Sequence, residues 1–423
     1  MLDGKRHTAV TALLFLSLLT NHYSLTTTVQ AAEIEYHEGL PIVHLSGTPY
    51  ELGRQHGGRL RDEIRACVRG VLGYFRHYLR IPLAGAWAVN WWLDQAWQQA
   101  QPFIPPAYLE ELRGVADGSG VPLRELYRLH AIPDRTYSCS SLAAWGRATS
   151  DGRLIHVRNL DWNIDAGIQR FAVVFVVRPR GKHAFVNVGW AGFIGVLSGV
   201  NDAQLSVGQI GAETTDATFR GEPMAFVMRD VLEEADDVEQ AASIVVGARR
   251  TVGVNYVFAD AKARRAIALE TTHRRARLFG ANDPAERHVR YARPMVDAVF
   301  RADTAMDPTI RDQQLASDGD PSRPGLEPPG GSAYEIRYLG QAAGLSARYG
   351  RLNRDGALAI AQAVAPPSNV QSVLVSWPEL WVANAQGTTP AARSSYHHLD
   401  LSELLEPPHE PQMSQPAWPV EKR

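Results

Sequence analysis

An excess of charge of either sign is missing from this chain. Its 423 residues carry 43 lysines and arginines against 45 aspartates and glutamates. That balance leaves nothing to hold a polyanion, so nucleic acid is excluded as a partner. Cysteine is nearly absent as well: Cys67 and Cys139 are the whole complement, which allows one disulfide at most. The amino-terminal apolar run, residues 9–19, falls short of the about 18 to 20 residues that span a bilayer. No stable membrane span is expected, and no fixed-length repeat is visible.

What is present supports a folded protein. Apolar residues make up 45% of the chain and include 10 tryptophans, ample for a sizeable core in one large domain or two. Lys5, Arg6 and His7 precede the apolar run, and Val29-Gln30-Ala31 places small residues at cleavage spacing. Residues 1–31 are therefore expected to be a signal peptide and the protein to be exported, periplasmic or secreted. An uncleaved anchor is the alternative. Export would permit a Cys67–Cys139 bond, but Ile64, Cys67, Val68, Val71, Leu72 and Phe75 share one helical stripe. Cys67 reads as a core residue, and Cys139 is left free.

Residues 40–45 alternate as a strand does. Thr48-Pro49-Tyr50-Glu51 then supplies an N-cap, a first-turn proline and a capping-box glutamate, predicting a long helix toward residue 80. Trp87, Trp91, Trp92 and Trp97 fall in the next helical stretch, where core packing is preferred over a lipophilic substrate wall. Helices are predicted over 107–116 and 123–130. From Cys139 the texture changes: 139–149 and 153–161 flank Ser150-Asp151-Gly152, a strong hairpin signal. Further hairpins are predicted at 171–177/184–188, 196–200/204–210 and 255–260/265–271, with a short strand at 277–279. Helices are predicted at 223–234, 238–248 and 355–364, and strands at 370–377 and 380–383. Residues 303–331, rich in Pro, Gly and Asp, read as a long surface excursion, and 406–423 as a loose tail. Strands in two blocks with helices between and around them fit a layered α+β sandwich of antiparallel sheets.

The chemistry centres on Cys139-Ser140-Ser141 and, across the turn, Arg158-Asn159-Leu160-Asp161-Trp162. A cysteine nucleophile works as its thiolate, and a thiol of pKa about 8.5 is only a few per cent ionised at neutral pH. No papain-like or caspase-like signature surrounds Cys139. An α-amino group, of pKa about 7.7 to 8.0, would serve as the base if the chain were cut before Cys139. Arg158 would then lower the thiol pKa, and Asp161 would hold the new ammonium. Positions three apart on a strand face opposite ways, so the two converge only if the strand bends or ends there.

These motifs resemble the N-terminal-nucleophile hydrolases of the acyl-coenzyme A:6-aminopenicillanic acid acyltransferase type, relatives of choloylglycine hydrolases and acid ceramidase. That family starts with Cys-Ser/Thr-Ser/Thr and continues with Arg-Asn-x-Asp-Trp. Gly47-Thr48-Pro49-Tyr50-Glu51-Leu52-Gly53 and His56-Gly57 look like its propeptide motif, and Gly199-Val200-Asn201-Asp202 with Leu205-Ser206-Val207 like its Gly-x-Asn-x-x-Gly-Leu hairpin. The resemblance runs from about residue 40 to 290, with echoes over 370–401.

The resemblance implies a four-layer αββα fold, self-cleavage into segments 32–138 and 139–423, the catalytic part of the second ending at 405, and hydrolysis or transfer of an acyl group on an amide. It implies no metal and no organic cofactor. Asn282, in Ala281-Asn282-Asp283-Pro284 after Glu270, is the counterpart of the family's oxyanion-hole asparagine. It lacks the family's flanking histidines, and a turn-capping asparagine fits the same residues. Ser138 stands where the fungal acyltransferase has glycine. The expected substrate is a small acyl amide, and the aromatic content points to an apolar acyl chain.

Other readings stay open. A secreted cysteine protease or thioesterase would pair Cys139 with His130 or His156, and a ligand-binding protein would use the tryptophan-rich segment with a structural Cys139. Arg158 and Asp161 taken singly fit an ordinary ion pair. His397-His398 fits a polar strand end better than a metal site, Glu270 a charged strand exit, and Asn201 and Asn255 turn or strand-end positions.

Overall fold

The computed structural model describes residues 34–78, 84–132, 138–314, 333–386 and 388–406. The expected signal peptide, residues 315–331 of the expected excursion and the tail from 407 onward lie outside the described residues. In chain order the elements are β1 (Ile34–His37), β2 (Leu40–Gly47), α1 (Pro49–Arg59), α2 (Arg61–Tyr78), α3 (Ala84–Ala100), α4 (Pro106–Ser119) and α5 (Leu123–Ala131). There follow β3 (Ser138–Ala144), β4 (Ile155–Asp161), β5 (Ala172–Pro179), β6 (Phe185–Trp190), β7 (Ser198–Asn201), β8 (Leu205–Gly211), α6 (Met224–Glu234) and α7 (Val238–Gly247). The chain continues with β9 (Val254–Asp260), β10 (Arg265–Thr271), β11 (Ala276–Phe279), β12 (Ala298–Arg301), α8 (Pro308–Arg311), α9 (Ala333–Ser346) and α10 (Arg354–Val364). It closes with β13 (Asn369–Ser376), β14 (Glu379–Asn384), β15 (His397–Asp400) and α11 (Leu401–Leu405).

The strands form two sheets, ordered β1-β2-β5-β6-β7-β8-β9-β10-β11 and β12-β3-β4-β13-β14-β15. All pairs are antiparallel except β2 with β5, where the expectation of purely antiparallel sheets fails. Alternation along the strands makes the layers. On β5, Val174 and Val176 meet Val373, Val375 and Val382 of the second sheet. Val173, Phe175 and Val177 turn to the other face and join the cluster that includes Ile64, Val68 and Leu72 of α2. The second sheet's outer face, with Leu142, Ile155 and Val157, packs on Tyr338, Ala342, Ile360 and Ala361 of α9 and α10. The result is an α+β sandwich of four layers, αββα. No helix among the described residues is long and apolar enough to cross a membrane.

Thr48 caps α1, its hydroxyl accepting from Glu51 N while the Glu51 carboxylate accepts from Thr48 N at 2.8 Å, a box worth about 1 kcal/mol. The single helix expected from there divides at Leu60, which leaves helical backbone angles and is buried. Of the four tryptophans read as core, Trp97 alone is buried. Trp87, Trp91 and Trp92 are 69%, 54% and 41% exposed, because α3 turns Leu93, Ala96, Trp97 and Ala100 inward instead. The excursion expected from residue 303 begins inside the protein: Asp303, Ala305, Met306 and Ile310 are all buried.

Candidate active site

The predicted hairpin forms as β3 and β4, although β3 ends at Ala144 rather than 149 and a 3-10 turn over Gly146–Ala148 lies in the connection; Cys139 is opposite Leu160 and Ser141 opposite Arg158. Residues directly opposite in an antiparallel pair share a face. Cys139, Ser141, Arg158 and Leu160 therefore face the first sheet, and Ser140, Asn159 and Asp161 face α9 and α10. Gly208 of β8 lies beneath: a Cβ there would come within 2.8 Å of Ser141 Oγ and 3.4 Å of Arg158 Cγ. Its missing side chain makes room for the Ser141 hydroxyl, the His156 ring and the stem of Arg158.

Cys139 is completely buried, and both cysteines are free thiols. Arg158 Nη2 donates to Cys139 Sγ at 3.2 Å, while Nε donates to Gln209 O at 3.1 Å and Nη1 to Ser198 Oγ at 2.6 Å. Ser198 in turn donates to Gln371 Oε1 at 2.8 Å. The guanidinium is thus held toward the sulfur by Gln209 and Ser198. Burial nevertheless pushes the Cys139 thiol up to about 11, with Arg158 pulling it down and Asp161 and Asp303 pushing it up. In the uncut chain the sulfur is a thiol at neutral pH. Cys67, in the apolar stripe of α2, is pushed up to about 12 by burial alone and has no such cation.

Asp161 does not bend around to meet Arg158. It stays on the opposite face, where Oδ1 accepts from Asn369 Nδ2 at 2.9 Å and Oδ2 from Arg337 Nη1 at 2.5 Å. A register shift between Asn369 and Gln371 lies beside it in β13, a bulge at the strand end. Burial pushes the Asp161 carboxyl up to about 7 against the pull of Arg337 and Asn369.

The nitrogen of Cys139 has its own acceptor: the backbone N–H donates to Asp303 Oδ1 at 2.9 Å. Asp303 also pairs with Arg337, so one guanidinium ties the carboxylates of Asp161 and Asp303 together. The part assigned to Asp161 from the sequence, holding the Cys139 nitrogen, falls geometrically to Asp303.

Asn282 is not brought to this cluster. It occupies a turn after β11 at φ +53°, partly exposed, and its amide oxygen accepts from Arg287 at 3.4 Å. The side-chain amide near the sulfur is that of Gln209, whose Nε2 is 4.0 Å from Sγ and whose Oε1 is buried with no partner. The histidines are otherwise engaged. His156 bridges Ser141 Oγ at 2.9 Å and Ser206 Oγ at 2.8 Å, and His130 lies between Leu126 O at 2.8 Å and Ile194 N at 3.0 Å. Glu270 is structural: it binds Arg301 Nε at 2.6 Å and accepts from the backbone of Met306 and Asp307 at 2.8 Å, gripping the segment that carries Asp303.

Asp303, Arg337, Gln209 and Gln371 have no motif in the sequence to announce them. Arg337 lies on α9, where no helix was predicted, and Asp303 where a surface loop was. Next to Leu160 an apolar pocket is lined by Val71, Leu129 and Ile132 from before the cysteine and by Trp162, Ile168, Trp190 and Phe193 from after it.

Residues 147–292 match the family model of acyl-coenzyme A:6-aminopenicillanic acid acyl-transferase, a span that includes Arg158 and Asp161. Over that span, about a third of the chain, the sequence is similar to this family. Protein dcd1B of Dictyostelium discoideum is 27% identical over 262 residues, 57% of this chain and 52% of its own length. Acid ceramidase of Rattus norvegicus is 26% identical over 180 residues, 36% of this chain and 44% of its own. The chain thus spans about half the length of these curated relatives. A solved Caenorhabditis elegans ortholog of N-acylethanolamine-hydrolyzing acid amidase is 18% identical with a TM-score of 0.42, and the match covers 62% of this chain and all of that one.

Proposed function

We propose that the chain cuts itself before Cys139 and then hydrolyses or transfers the acyl group of an amide through a thioester at Cys139. The observation that carries this reading is that the two reactive atoms of one residue each have a charged partner: Arg158 at the sulfur, 3.2 Å away, and Asp303 at the nitrogen, 2.9 Å away. In self-cleavage the thiol attacks the Ser138 carbonyl carbon. The C–N bond to Cys139 breaks, the nitrogen takes the proton lost by sulfur, and water hydrolyses the thioester to free the Ser138 carboxylate.

In turnover the freed amine takes the thiol proton, the thiolate attacks the substrate amide, and the ammonium returns a proton to the departing amine. Water or a second amine then attacks the thioester. Cutting the chain changes the electrostatics in the needed sense, because a peptide nitrogen cannot accept the thiol proton and a primary amine can.

The substrate is an acyl amide with an apolar acyl chain. The lining beside Leu160 supports this, and so do the relatives' names, ceramidase and N-acylethanolamine-hydrolyzing amidase. Export with removal of residues 1–31 belongs to the same proposal and rests on the amino-terminal sequence. A histidine-assisted mechanism has no geometric support, since His130 and His156 are both bonded away from the sulfur.

Intact mass and amino-terminal sequencing of the purified protein test the reading. The expected result is two chains, one beginning at Cys139, and a single inactive chain for Cys139→Ala. An uncut wild-type chain with full amidase activity would overturn it.

A further inference from the structure

We propose that Asp303 is the anchor of the mature amino terminus, holding the Cys139 nitrogen as an ammonium while Arg158 holds the sulfur as a thiolate. The inference rests on the self-cleavage proposed above and adds a residue that the family motifs in this sequence do not contain.

The fold aims this carboxylate. β12 runs antiparallel to β3 with Arg301 opposite Ser141, so continuing that register by two residues sets Asp303 across from Cys139. Its segment is fixed on both sides. Arg301 binds Glu270 and Glu286, each at 2.6 Å, Asn255 Nδ2 donates to Ala302 O at 3.0 Å, and Gln314 Nε2 donates to Asp303 O at 2.8 Å. Arg337 occupies the second oxygen of Asp303. The first accepts from the Cys139 nitrogen.

The choice of acceptor is informative. Asp303 is only 7% exposed, and burying a carboxylate is costly. A peptide N–H is satisfied by a neutral carbonyl, as elsewhere in the sheet, whereas an ammonium gains most from a carboxylate through a charge-assisted bond. The arrangement suits the product of cleavage better than the uncut peptide. In the cut protein a proton moved from sulfur to nitrogen creates an opposed pair of charges: the thiolate meets Arg158 and the ammonium meets Asp303. Neither proton nor charge is gained or lost overall.

The test uses the full chain with Asp303→Asn and Asp303→Glu and needs no substrate. Intact mass follows cleavage, and the pH dependence of carbamylation by cyanate follows the Cys139 α-amine. The amine of the cut wild type is expected to titrate above the ordinary 7.7 to 8.0. With Asp303→Asn the titration should fall by about 1 pH unit or more, or cleavage should slow at least about tenfold, an effect of the same size. Asp303→Glu, which keeps the charge, should recover most of either loss. The proposal is overturned if Asp303→Asn cuts and titrates like the wild type, or if the glutamate variant does no better than the asparagine one. Failure of the parent reading shows separately, as an unmutated chain that is never cut.

Discussion

Arg158 Nη2 lies 3.2 Å from Cys139 Sγ, yet burial outweighs the cation and pushes the thiol up to about 11. Removing the charge should therefore make a poor nucleophile worse. Arg158→Met is expected to slow self-cleavage at least about tenfold, one pK unit of lost thiolate stabilisation. A time course of intact mass from pH 6 to 9 measures it; a wild-type rate would remove Arg158 from the chemistry.

Arg229 crosses the predicted cut. It is buried on α6, bonded to Glu111 of α4 at 2.6 and 2.9 Å and to Glu233 at 2.8 Å. The two segments should therefore stay together after cleavage and co-elute in native size exclusion. Glu111→Ala leaves a buried guanidinium short of one partner and is expected to cost about 3 to 5 kcal/mol, read as a lowered urea midpoint.

His130 supplies a pH test. Burial holds its imidazole down to about 4, below the ordinary 6.5, and its Nε2 accepts from Ile194 N as a neutral ring. A depressed folded pKa means that the stability it contributes is complete above about 6.5 and is lost as pH falls toward 4. Glutamine can keep the acceptor without titrating. His130→Gln should gain on the wild type by about 1.4 kcal/mol per pH unit between pH 6 and 4.5, compared by urea midpoints. Parallel midpoints would show that His130 does not titrate as a buried ring.

Asn282 sits at φ +53° in a turn, a conformation that glycine adopts without strain. Asn282→Gly is expected to leave turnover within about twofold. A fall of about a hundredfold or more, the scale of a lost oxyanion donor, would restore the role that the family pattern suggests.

The hairpin β3–β4 was legible because its signals are local: Asp151-Gly152 names the turn, and β-branched and apolar residues flank it. The register did not follow from that turn: the connection runs over residues 145–154, and Cys139 lies opposite Leu160, diagonal to Arg158. The same alternation kept Asp161 on the opposite face, and its partners are Arg337, 176 residues away, and Asn369, 208 away. The tryptophans of α3 were misread because composition records how many aromatics a helix has, while their spacing against Leu93 and Trp97 decides which of them face inward.

Taken alone, the sequence determined the layered class, the nearness of Cys139 to Arg158 and the upstream capped helix, since each depends on residues within a turn or a hairpin of one another. The tertiary structure decided which carboxylate meets the Cys139 nitrogen. Asp303 is 164 residues from Cys139, and it arrives there only because β12 pairs along the edge of β3, a choice made by the packing of two whole sheets and their covering helices rather than by any local pattern.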